Sequence, residues 1–120
     1  MGIREIVSGD FDRLVDLEPG VLLPHGTVIR LLGDVPHERV VDLMVTETYD
    51  SQGTKCLGFL VSTGGKAGLT LIYLPVEAGK YSMSAGWLKA NWNKWGYAVV
   101  PVDEVFVSAG YPAPEKLPDE

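Results

Sequence analysis

From residue 27 to residue 74 the apolar side chains fall in short runs separated by turn-forming residues, and two of those runs alternate with period two. In residues 39–49, Val41, Leu43 and Val45 point one way while Asp42 and Thr46 point the other, the period of two that marks a half-buried strand. Leu57, Phe59 and Val61 supply the next alternating face. Residues 27–32 are β-branched and apolar until Gly33-Asp34 and Pro36 close the run, and residues 69–74 stop at Pro75. Asp50-Ser51-Gln52-Gly53 and Gly64-Gly65-Lys66-Ala67-Gly68 read as the turns between runs. With no helix between these segments, consecutive antiparallel pairing is the simplest consequence.

One helix is expected, over residues 84–95, with Ser82 or Ser84 as N-cap and Gly96 as terminator. Leu88, Trp92 and Trp95 fall at i, i+4 and i+7 and make the stripe that covers the sheet. Trp87 lies off that stripe, beside Asn91 and Lys94, as a partly exposed anchor. After the helix, residues 99–102 and 104–108 read as extended, with Val105 and Val107 facing the core. Near the N-terminus, Phe11, Leu14, Val15 and Glu18 share one helical side, and a short helix capped by Ser8 or Asp10 is expected before Glu18-Pro19-Gly20. The expected class is α+β: a mostly antiparallel, curled sheet of about five or six strands, with the Trp-rich helix inserted before the last strand or strands.

The 120 residues fit one domain, placed at residues 1–110 with residues 1–20 as an N-terminal extension. Residues 111–120 hold three prolines and four charges, and have too little apolar surface to offset their ordering entropy, so a disordered tail is expected. No apolar run approaches the roughly 18–20 residues that cross a bilayer, and no secretory signal opens the chain; a cytoplasmic protein without a membrane partner is expected. Cys56 is the only cysteine, which excludes an intrachain disulfide and reads as a buried, inert thiol. The net charge of −6 is uneven: residues 61–100 carry +3, whereas 1–20, 21–60 and 101–120 carry −3, −2 and −4. An acidic chain without a basic, aromatic-interleaved stretch repels phosphate backbones, so direct nucleic-acid binding is disfavoured and a basic protein partner is attracted.

No motif carries catalysis. The glycine loop Gly64-Gly65-Lys66-Ala67-Gly68 has Leu60 and Ala67 where a phosphate-binding loop needs its first glycine and its final Ser or Thr, and a strand follows it, so a hairpin turn with a solvent-facing lysine is expected. His25 and His37 sit in turns beside Pro24 and Pro36, without a second ligand at metal spacing and without a nucleophile motif. Asp103 and Glu104 are adjacent, and on a strand they face opposite sides. No catalytic residue, metal site or cofactor is expected.

The order of motifs resembles a known family. The segments G-T-V-I-R-L at residues 26–31, F-L-V-S-T-G-G-K-A-G-L at 59–69, W-L-K-A-N-W-N-K-W at 87–95 and D-E-V-F-V at 103–107 are similar to bacterial immunity proteins of polymorphic, contact-dependent toxin systems, of the type called immunity protein 45. The likeness covers about residues 21–110. It implies a cytosolic, non-enzymatic protein that binds and neutralises a cognate toxin domain by stoichiometric contact. It brings no catalytic residues with it.

An acidic inhibitor suits a basic toxin domain, of which nucleases are one kind. The expected contact residues are the carboxylates Asp34, Asp42, Glu47 and Asp50 of an acidic surface, with Asp42 set opposite the core-facing Val41, Leu43 and Val45 and Glu47 of the other parity, together with Trp87. For any single one of these carboxylates, an ordinary solubilising charge is the plainer reading. The alternative function is a small-ligand or regulatory β-domain with a pocket between sheet and helix.

Overall fold

A computed structural model describes residues 11–32, 40–97 and 99–111. The expected helix caps Ser8 and Asp10, together with Asp34, His37 and residues 112–120, lie outside the described residues. The elements run β1 (Asp12–Arg13), β2 (Leu22–Pro24), β3 (Val28–Leu32), β4 (Val40–Tyr49), β5 (Lys55–Val61), β6 (Thr70–Tyr73), β7 (Ser82–Ser84), α1 (Ala85–Trp95) and β8 (Val105–Ser108). The class is α+β.

The main sheet has six strands in the order β1-β8-β3-β4-β5-β6, antiparallel throughout and not closed on itself. Consecutive pairing holds from β3 to β6, as the alternation requires. β8 departs from it: the last strand returns to pair with β3, setting Ile29 opposite Val107 and Leu31 opposite Val105. One face of the sheet presents Ile29, Leu31, Leu43, Val45, Leu57, Phe59, Val105 and Val107, all buried in one apolar cluster. α1 closes that cluster with Leu88 and Trp92, while Trp87 and Trp95 pack against it only partly buried.

Local chemistry sets the helix ends. Ser84 is the N-cap, its hydroxyl accepting from the Trp87 amide at 3.0 Å. Two further orphan amides of the first turn, Ala85 and Gly86, donate to the carbonyls of Val21 and Pro19. Gly96 follows the last turn against the Trp92 ring, where an added Cβ would collide with indole carbons. The indole Nε1 donates to the Val100 carbonyl at 2.8 Å.

That last bond explains one difference from the sequence reading. Residues 99–102 are not extended: the Val100 amide turns back to the Tyr97 carbonyl, Trp92 holds the Val100 carbonyl, and a 3-10 turn, Val102–Glu104, begins after Pro101. Asp103 and Glu104 therefore sit in that turn and not on opposite faces of a strand. The N-terminal helix is likewise replaced, by β1 and a 3-10 turn, Leu14–Asp16. There Arg13 donates through Nε and Nη2 to the Asp103 carbonyl, and only Leu14 of the turn is buried, so one anchor suffices where a helix needs a stripe. β2 and β7 form a separate two-stranded sheet, three residues each, that links the start of the chain to the N-cap of α1.

Candidate partner-binding surface

The β4–β5 hairpin ends in a turn that the sequence specifies closely. Asp50 Oδ1 accepts from the amides of Gln52 (2.9 Å) and Thr54 (3.0 Å), and Gly53 takes a φ of 80°, which favours glycine. This turn sets Tyr49 opposite Lys55 and Glu47 opposite Leu57. Lys55 Nζ donates to Glu47 Oε1 at 2.9 Å and lies 5.5 Å and 5.0 Å from the ring centroids of Tyr49 and Tyr81. On the other side of the carboxylate, His25 Nδ1 is 2.7 Å from Glu47 Oε2; an ionised carboxylate only accepts, so Nδ1 carries the proton. His25 and Tyr81 come together because β2 and β7 pair Pro24 with Ser82. Hydrogen bonds from Lys55 first and His25 second hold the Glu47 carboxyl below its ordinary range, and Glu47 in turn raises Lys55. The result is a pre-ordered surface: Tyr49 at 60% and Tyr81 at 63% exposure, flanking a lysine, a carboxylate and an imidazole fixed to one another.

On the second face of the main sheet, Asp42 is 0% exposed. Its Oδ1 accepts from Arg30 Nε at 2.8 Å, and its Oδ2 accepts from Arg30 Nη2 at 2.8 Å and from the Tyr111 hydroxyl at 2.6 Å. Ser62 Oγ lies 2.8 Å from the same phenol oxygen. Burial, then donation to Asp42, pushes the Tyr111 phenol up. The Arg30 guanidinium also stacks on Phe11, 4.2 Å from the ring centroid. Beside this network an open cleft of about 570 Å³ is lined by Phe11, Val21, Leu22, Arg30, Ser108 and Tyr111 among others.

A family model for immunity protein 45 matches residues 15–107. The chain belongs to the immunity protein 45 family. No curated protein matches it, and no solved structure does.

In this immunity protein the expected contact residues have separate fates. Glu47 and Asp50 are brought to the same hairpin end, Glu47 inside the ion-pair cluster and Asp50 bracing the turn. Asp42 shares the strand but faces the other way and is enclosed, so it does not belong to an exposed acidic surface: Arg30, Phe11 and Tyr111 cover the face that the alternation left to solvent. Trp87 is on α1, partly buried against the core. The cleft is not between sheet and helix: no residue of α1 lines it.

Other residues were not expected at a contact surface from the sequence. Tyr49 and Lys55 carry a signal, since they flank the Asp50 turn symmetrically; Tyr81 and His25 carry none, because their meeting depends on two strands of three residues. The exposed carboxylates Asp12, Asp16, Asp103 and Glu104 gather where the two 3-10 turns pack together, near the end where β4 begins and away from the tyrosines. Cys56 is buried, and desolvation pushes its thiol up, away from reactivity. Among the described residues no three His, Cys, Asp or Glu side chains gather to hold a metal, and no helix is long and apolar enough to cross a membrane.

Proposed function

We propose that this immunity protein neutralises a cognate bacterial toxin domain by stoichiometric protein–protein binding, without catalysis, and that the toxin lands on the hairpin end carrying Tyr49, Tyr81, Lys55 and His25. Family membership supports toxin neutralisation, and the exposed tyrosine pair supports the location. Tyrosines supply large contact area at low entropic cost and are favoured at binding hot spots. Here the cation between them is already fixed by Glu47, so little ordering remains to be done on association. The partner is a basic domain, a nuclease being one such kind, steered by the acidic balance of the chain while the protein remains in the cytoplasm of the producing cell. Asp50 and Glu47 lie in the contact area; Trp87 is a secondary anchor.

Tyr81→Ala and Tyr49→Ala test the location. Each weakens toxin binding by about tenfold or more, the effect of a hot-spot residue, with the melting temperature unchanged because both rings are exposed. Unaltered affinity in both variants moves the contact elsewhere.

A second reading, a small-ligand domain, is favoured by the cleft beside Arg30, whose volume of about 570 Å³ is within the range of ligand pockets. A toxin complex that forms with the cleft filled by a bulky residue at Ser108 separates the two.

A further inference from the structure

The two edges of the main sheet are built differently. At one edge β1 is only two residues long, which leaves almost no template for another chain. At the other edge β6 pairs with β5 alone among the described residues, so the alternate amides and carbonyls on its outer side have no strand to bond. Thr70–Tyr73 contains no charge and no proline, although the strand is short and its register with β5 shifts between Phe59 and Leu60, leaving Leu71 without a paired residue. Its apolar side chains are open to solvent, with Leu69 at 60%, Leu71 at 48% and Tyr73 at 47% exposure.

The charges flanking this edge are of opposite sign. Lys66 stands exposed in the turn before β6 and Glu77 stands exposed in the turn after it. When two copies of such an edge meet antiparallel, the start of one strand lies beside the end of the other. Each Lys66 then approaches the Glu77 of the second copy, twice over around a two-fold axis; a parallel meeting would set like charges together. The edge is therefore complementary to itself in one orientation, and that decides the occupant.

We infer that this protein pairs with a second copy of itself through β6, antiparallel, joining two six-stranded sheets into one continuous sheet. The interface is at the opposite side of the sheet from β1 and uses neither Tyr49 nor Tyr81. A contact of four paired residues with its apolar rim is small, so the dimer is concentration-dependent.

Sedimentation equilibrium of the full chain over a range from about 1 μM to about 1 mM tests this, spanning the affinities a small interface provides. The weight-average mass rises from the 13.0 kDa of one chain toward twice that value. Leu71→Lys, at an exposed position, abolishes the rise while leaving the melting temperature in place. Lys66→Glu alone and Glu77→Lys alone each weaken dimerisation, and the double exchange Lys66→Glu with Glu77→Lys restores it. A chain that stays monomeric throughout the range overturns the inference, as does a dimer indifferent to Leu71→Lys. If Leu71→Lys instead removes toxin binding from a protein that is monomeric alone, the edge belongs to the toxin and the inference fails.

Discussion

Asp42 has no access to water, and its carboxylate accepts hydrogen bonds from Arg30 and Tyr111. Removing one partner of such a buried pair leaves the other uncompensated, which costs more than the pair contributes. Asp42→Ala is expected to destabilise by about 3–5 kcal/mol in urea unfolding; a loss below about 1 kcal/mol would mean that Arg30 and Tyr111 find other acceptors. The parity of this residue was legible, since Asp42 does point away from Val41, Leu43 and Val45. Its burial was not, because the cover comes from Phe11 and Tyr111, far along the chain in both directions. Glu47 titrates in the opposite regime of exposure. Its folded carboxyl is held down by Lys55 and then His25, so the unfolded chain takes up the proton first. The cluster therefore stabilises the fold above the ordinary carboxylate value of 4.5 and is lost as pH falls through the depressed folded value. Glu47→Gln is expected to narrow the difference in melting temperature between pH 7 and pH 3; an unchanged difference would show that the cluster adds nothing to stability.

At the scale of elements, period two identified β4 and β5, apolar runs closed by turn residues identified β3 and β6, and helical spacing identified α1. β2 and β7, with three residues each, have no period to read, and β8 enters between β1 and β3 through contacts that no local pattern records. Of the helical stripe, Leu88 and Trp92 are fully enclosed while Trp95, in the last turn, is only partly covered. Trp92 also ties the loop after the helix through Val100, which turned an expected strand into a bend. Trp92→Ala is expected to cost about 3–5 kcal/mol in denaturant unfolding, as large aromatic truncations do. Gly96→Ala is expected to cost about 1–3 kcal/mol by crowding the same ring, even though its φ of −95° suits any residue. A neutral Gly96→Ala would show that the indole has room to shift.

Over the whole molecule, the acidic balance read from the sequence resolves into charges of different kinds. Asp42 is matched by Arg30 and Glu47 by Lys55, whereas Asp12, Asp16, Asp103 and Glu104 stay exposed around the paired 3-10 turns. Among the described residues these four carboxylates form a region the sequence did not single out, and under the proposed function they steer a basic partner toward the tyrosine-flanked hairpin. Association with the toxin domain is expected to slow as salt shortens the Debye length below about 8–10 Å, whereas dissociation changes little. Neutralisation by one-to-one binding is tested by titrating a cognate toxin domain with this protein while recording both bound fraction and residual toxin activity. Both curves are expected to break together at one chain per toxin domain; full inactivation at a small fraction of that ratio, or no binding by the folded protein, would rule out stoichiometric neutralisation.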